Sequence, residues 1–172
     1  MITFSDIQLL RGGSPLLDQT SATIHPGDKV GLVGKNGSGK STLFALLKDE
    51  LSLDAGSFSQ PAHWELAWVA QETPAIERSA IEYVIDGDRE FRRLENQLEQ
   101  AEQSDNGHLV AELHGKIETV GGYAIRARAA ELLDGLGFSQ EQMSWSVTQF
   151  SGGWCMRLNL AEALLCRSDL LL

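Results

Sequence analysis

Gly34-Lys35-Asn36-Gly37-Ser38-Gly39-Lys40-Ser41 is the stretch on which the reading of this 172-residue chain turns. It fits the spacing G-x-x-x-x-G-K-[ST], and its flanks are those the spacing needs. Before it, Lys29-Val30-Gly31-Leu32-Val33 is a short apolar run that predicts a strand. After it, residues 42–51 carry Leu43, Phe44, Leu46 and Leu47 on a broad apolar face and predict a helix. The glycines let the loop turn so that successive backbone N–H groups point inward at an anion. The helix behind them adds the positive end of its dipole. Lys40 can reach the β and γ phosphates of a nucleotide, the Ser41 hydroxyl can bind Mg²⁺, and Thr42 offers a second hydroxyl near the α phosphate.

Upstream of this loop, Ile2, Phe4, Ile7 and Leu9 show short alternation, Gly12-Gly13-Ser14-Pro15 breaks it, and residues 16–24 form a second extended stretch. Downstream, Ser57-Phe58 and Glu65-Leu66-Ala67-Trp68-Val69 read as strands separated by Pro61. At Thr73-Pro74 the pattern changes from strands to helices. Phe91, Leu94, Leu98 and Ala101 recur at steps of three and four, Ser104-Asp105-Asn106-Gly107 interrupts, and Leu109, Val110, Leu113, Ile117 and Val120 resume. That is a helical hairpin over 88–119 with one apolar stripe per helix. A third helix runs from about Tyr123 to Leu136, ended by Gly135 and Gly137. A last one runs from Trp154 to about Arg167, and Leu170-Leu171-Leu172 begins a buried strand. We therefore divide the chain at 1–78 (β and phosphate-loop part), 79–149 (helical subdomain) and 150–172. A chain that stops on three leucines is expected to be a piece of a longer one.

Composition narrows the class. With 42% hydrophobic and 22% charged residues, the chain is an ordinary globular one, not a fibrous or disordered one. The 24 acids against 14 bases give a net charge of −10, so overall charge does not draw it to nucleic acid or anionic membranes. The hairpin region 86–118 holds nine acids and four bases, so its outer faces are acidic. No apolar run is long enough to span a membrane and no secretion signal precedes the first strand. Cys155 and Cys166 lie about 16 Å apart on the last predicted helix, too far for a disulfide. Two free thiols suit a cytoplasmic location.

Phosphate binding alone leaves kinases, GTPases and ATPases open. Two further features narrow it. Gln71 follows the strand ending at Val69, where an amide could touch Mg²⁺ or orient a water. Phe150-Ser151-Gly152-Gly153-Trp154 is a second helix start: Ser151 can cap the helix, and the glycines let a ligand approach the backbone. With these in place, and in this order and spacing, the chain resembles an ATP-binding cassette (ABC) domain. The phosphate loop matches the family's Walker A motif, Gln71 its Q-loop, and Ser151-Gly152-Gly153 the core of its signature. Trp154-Cys155-Met156-Arg157-Leu158-Asn159-Leu160-Ala161-Glu162-Ala163-Leu164 is similar to the ABC-F branch, with Cys155 in place of the usual Arg and Trp154 where transporter signatures carry Gln. The resemblance implies an α/β P-loop NTPase fold: a mostly parallel core sheet round the Walker A helix, an antiparallel β edge from residues 1–24, and a helical subdomain.

It also implies ATP and Mg²⁺ as ligands, with Ser41 and Gln71 on the metal. Ser151, Gly152 and Gly153 would face the ATP of a second cassette on the same full-length chain. ABC-F proteins lack a membrane domain and are linked to ribosomes and translation, where ATP hydrolysis accompanies closure of two cassettes. At the place where many cassettes stack an aromatic ring on adenine, this chain has Arg11, whose guanidinium plane can stack on a base. The family's Walker B Asp-Glu would follow Leu172, so the fragment itself is expected to bind Mg-ATP without turning it over. His25, His63, His108 and His114 do not stand at the family's switch histidine. Two other readings stay open at this point: the ATPase subunit of a membrane transporter, and a non-catalytic nucleotide-binding module.

Overall fold

A computed structural model describes residues 1–11 and 14–172. The break at Gly12-Gly13 lies outside the described residues. The chain divides into two compact units, Met1–Leu66 and Ala67–Leu172.

In the first unit, β1 (Ile2–Arg11) is the middle strand of an antiparallel sheet, flanked by β2 (Ser14–Ile24) and β3 (Ala55–Ser59). Ile2, Phe4, Ile7 and Leu9 are its buried residues. The step of three between Phe4 and Ile7 would turn Ile7 to the wrong face of a regular strand. The ladder resolves this with an irregularity: the register of β1 shifts against both neighbours, between Phe4 and Ile7 on one side and between Ser5 and Gln8 on the other. Asp6 takes a left-handed φ of 48° there, its N–H donating to Ser21 Oγ at 2.8 Å. Gly56 faces it with φ 85°, and a Cβ at Gly56 would stand 2.3 Å from the Asp6 carbonyl oxygen. Only glycine fits that approach. Phe4 and Phe58 stack across the pair at 5.2 Å.

α1 (Lys40–Leu47) buries Thr42, Leu46 and Leu47. It ends four residues short of the expected Leu51, because Asp49 turns into the left-handed region with φ 60°. The run Lys29–Val33 does not form the expected strand: Val30 is 63% and Val33 92% exposed. A strand is stabilised by lateral hydrogen bonds, and among the described residues no neighbouring strand pairs with this run.

At the division of the chain, β4 (Leu66–Ala67), shorter than the expected Glu65–Val69, pairs with β5 (Leu170–Leu171). Leu172 donates its N–H to Ala67 O at 2.9 Å and accepts from Val69 N at 2.9 Å. One residue bonding to two residues two apart is the pattern of a parallel pair. α2 (Ala80–Ile85) is a helix that periodicity did not reveal, because six residues are too few to show a period; Ser79 caps it. α3 (Arg89–Gln103) and α4 (Gly107–Thr119) form the expected hairpin, capped by Asp88 and Asn106, whose carboxylate and amide oxygens accept from Phe91 N and Leu109 N. α5 (Ile125–Gly135) and α6 (Gly152–Leu165) complete the second unit. Its core runs from Ala80 through Phe138 to Leu165 and includes Leu94, Leu113, Leu133 and Leu158.

Arg92 fastens the hairpin base to the rest. Its guanidinium reaches Glu82 at 2.7 Å, Asp86 at 2.7 Å and Glu95 at 2.6 Å. Arg126 adds a pair to Glu82 and Arg78 one to Asp86. Burial pushes the Glu82 carboxyl up, but the Arg92 hydrogen bond and the surrounding guanidinium charges outweigh it and hold Glu82 below the usual carboxylate range.

Candidate nucleotide site

The first unit carries the glycine loop and the residues beside it. Lys35–Ser38 is a turn, with Ser38 N–H donating to Lys35 O at 3.2 Å. Gly37, its third residue, has φ 80°, the left-handed value that a type II turn needs there. Gly39 has φ 92° and caps α1. The amides of Lys40, Ser41 and Thr42 head the helix and have no carbonyl within it to serve, which leaves them for an anion. Lys40 Nζ donates to Gly34 O at 2.7 Å and to Lys35 O at 2.9 Å. An ammonium has three donors, so this grip orients Lys40 across its own loop and leaves it capacity for another acceptor. Ser41 is exposed and Thr42 is buried. Asn36 and Ser38 are exposed on the loop.

Arg11 ends β1, exposed, opposite Ser14 of β2. Two residues further on, Leu16 packs against Gly39: a Cβ at Gly39 would stand 3.2 Å from the Leu16 Cβ. The end of the hairpin that bears Arg11 is thus brought beside the loop.

The second unit carries Gln71 and Ser151–Gly153. Gln71 is exposed, in irregular chain after β4. Ser151 occupies the N-cap of α6, and its carbonyl accepts from Trp154 N and Cys155 N at 2.9 Å each. Its side chain makes no capping bond, which corrects the expectation that the hydroxyl caps the helix. The helix is held by other means. Trp154 turns inward onto Phe138 with ring centres 4.8 Å apart, and Phe138 meets Phe150 at 5.5 Å. Arg157 lies over the Trp154 ring at 4.7 Å and donates to Leu136 O at 3.0 Å. With the start of α6 fixed by packing, the Ser151 hydroxyl is not spent on it. A Cβ at Gly152 or Gly153 would meet nothing within 4 Å, so a ligand has open approach to that backbone. Cys155 and Cys166 form no disulfide among the described residues.

Of the expected Mg²⁺ ligands, Ser41 in the first unit offers a hydroxyl and Gln71 in the second an amide oxygen, each a hard donor. Among the described residues no cluster of three His, Cys, Asp or Glu could hold a metal by itself.

Sequence reasoning missed Asn159. It is 0% exposed in the middle of α6. Its Nδ2 donates to Ala70 O at 2.7 Å, and its Oδ1 accepts from Thr73 Oγ1 and from Tyr83 OH, each at 2.9 Å. A signal was available: an amide between Leu158 and Leu160 is a poor helix former unless it is needed for a bond. Burial, and then Glu162 beside it, pushes the Tyr83 hydroxyl well up, so it stays a donor. Burial likewise pushes the Glu162 carboxyl up, with Tyr83 opposing and Asp86 adding to the rise.

The first unit thus carries a glycine loop at a helix start, and the second carries another helix start with open backbone. Two solved structures share the fold. An inward-facing metal-chelate type ABC transporter superposes with TM-score 0.63 at 18% identity, over 99% of this chain and 57% of that one. An ABC transporter ATP-binding protein from Pyrococcus furiosus gives TM-score 0.66 at 18% identity, over 97% and 71%. The family described as ABC transporter matches residues 17–172, and the chain belongs to it. It is 62% identical over all 172 residues to "Probable ATP-binding protein YheS" of Escherichia coli strain K12, covering 27% of that protein. It is 58% identical to the protein of the same name from Haemophilus influenzae, again over 27% of its length. ABC transporter F family member 4 of Arabidopsis thaliana is 32% identical over 99% of this chain and 25% of its own. The resemblance to ABC-F proteins therefore holds across the whole sequence. The chain spans about a quarter of the length of these curated relatives. No helix among the described residues is long and apolar enough to cross a membrane.

Proposed function

We propose that the chain is the ATP-binding part of the first cassette of an ABC-F ATPase. It binds Mg-ATP with Gly34, Lys35, Asn36, Gly37, Ser38, Gly39, Lys40, Ser41 and Thr42. In the full-length protein it hydrolyses ATP to drive closure of two cassettes on the ribosome, in the cytoplasm. The observation that carries this reading is the loop itself: positive-φ glycines at 37 and 39, helix-heading amides, and Lys40 held over Gly34 and Lys35. Lys40 supplies charge for the β and γ phosphates; Ser41 and Gln71 hold Mg²⁺, which would neutralise phosphate charge during hydrolysis. Arg11 stacks on adenine. Ser151, Gly152 and Gly153 present their hydroxyl and backbone to the nucleotide of the second cassette. The relatives, an ATP-binding protein and an F family member among them, support the assignment.

The test uses the full-length protein, with ribosome pelleting in ATP, in a non-hydrolysable analogue and in ADP. Pelleting is expected with the analogue and lost with ADP. A protein that leaves ribosomes in the supernatant and follows the membrane fraction instead overturns the ribosomal part of the reading.

A further inference from the structure

The residues on either side of Gln71 are held from a distance, and the holding point is one side chain. Asn159 sits eight residues along α6 from Ser151, about 12 Å by helical rise. The Ala70 carbonyl can only accept a hydrogen bond, so the amide must turn Nδ2 to it and Oδ1 to the hydroxyls of Thr73 and Tyr83. Ala70 immediately precedes Gln71, and Thr73 follows it by two. A second clamp lies just upstream, where the Arg89 guanidinium at the start of α3 covers the Trp68 ring at 4.9 Å. Between these anchors Gln71 itself is exposed.

We propose that Asn159 is a positioning residue for Gln71, coupling the Gln71 segment to the helix that begins at Ser151. Movement of α6 then carries Ala70 and Thr73 with it, because a fully buried amide with three partners has no low-cost alternative arrangement. When Ser151 engages the nucleotide of the second cassette, the same rigid connection sets where the Gln71 amide lies. Asn159 touches neither nucleotide nor metal; it acts through Gln71. The proposal rests on the ATPase reading given above.

The experiment is a mutant cycle in the full-length protein, reading kcat, ATP Kd and the Mg²⁺ concentration for half-maximal turnover. Asn159→Ala is expected to lower kcat about tenfold and raise the Mg²⁺ requirement several-fold, with ATP Kd within twofold of the parent. Thr73→Val removes one hydroxyl at nearly constant volume and is expected to move the same two quantities about threefold. In a Gln71→Ala background, Asn159→Ala is expected to cost less than a further twofold, since its target is gone. Full additivity of Asn159→Ala and Gln71→Ala overturns the proposal, as does parental turnover in Thr73→Val together with Tyr83→Phe. Parental turnover in Gln71→Ala also overturns it, because nothing is left to position. If Asn159→Ala fails to fold, Thr73→Val and Tyr83→Phe in the two Gln71 backgrounds decide the matter alone. Lys40→Ala in the same preparation tests the underlying ATPase reading separately: unchanged ATP binding there removes that reading, whatever the cycle shows.

Discussion

The loop 34–39 and the segment 68–73 are equally long, and each presents an exposed residue to which a nucleotide role falls. They are held in opposite ways. The loop is stabilised by its neighbours in sequence: a turn closed between Lys35 and Ser38, glycines at positive φ, and Lys40 bonded to carbonyls five and six residues back. The segment is stabilised by a side chain 86 residues from Thr73 and 89 from Ala70, buried in another helix. The loop can be deformed without disturbing a core, whereas the segment cannot shift without moving α6. The support of the loop is local, while that of the Gln71 segment is a distant helix.

Substitutions in each region should therefore fail in different observables. The largest effect belongs to the packing behind α6. Phe138→Ala, in the ring cluster that fixes Trp154, is expected to cost about 3–5 kcal/mol and lower the melting temperature by roughly 10 °C. A melting temperature within two degrees of the parent would show that the cluster does not hold the helix start. Lys40→Ala is expected to do the reverse: ATP affinity by calorimetry falls about tenfold to a hundredfold, the loss of a charge-assisted contact, while the melting temperature stays put.

Gly122→Ala comes next. The added Cβ would lie 2.6 Å from Phe91 Cδ2 and 2.8 Å from Ile117 Cγ2, so about 1–3 kcal/mol of stability is lost, read by denaturant unfolding. Arg11→Ala is expected to weaken ATP about threefold to tenfold and leave inorganic triphosphate unchanged, since only ATP has a base to stack on. Equal weakening of both returns Arg11 to the role of a solvated strand-end charge.

The smallest effect is electrostatic. The Glu162 carboxyl is raised in the folded chain, chiefly by burial, so the folded state binds its proton more tightly than the unfolded state. Its charge costs nothing below the unfolded value of 4.5, and the cost appears as pH rises through the folded value. Glu162→Gln should thus melt at the same temperature as the parent near pH 4 and a degree or two higher at pH 8. A difference of opposite sign at pH 8 would mean that Arg89 outweighs burial there.

The same division between local and distant support decides what could be read from the sequence. The phosphate loop was legible because glycine, lysine and serine at fixed spacing dictate a local backbone. The hairpin α3–α4 was legible because Phe91, Leu94, Leu113 and Ile117 repeat at helical steps over more than three turns. α2 was not, being six residues long, and neither was the irregularity at Asp6, which depends on a glycine 50 residues away. The run Lys29–Val33 has the composition of a strand, but composition supplies no partner. The network at Asn159 joins residues 70, 73, 83 and 159, and no periodicity in a single chain links those positions.

The trio of Asn159, Thr73 and Tyr83 also constrains the routes by which this sequence can change. Replacing the amide with an aliphatic residue takes from the Ala70 carbonyl and from the Thr73 and Tyr83 hydroxyls the partner they share. Replacing either hydroxyl first removes a partner from an amide that is still there. Each single step toward an apolar version of the site removes a partner from a group that is still there, and the finished apolar version, Leu with Val and Phe, still leaves the Ala70 carbonyl without its donor. A combinatorial library over these three positions should accordingly return the native trio and few alternatives. The site is a single peak from which substitutions descend, whether made one at a time or together.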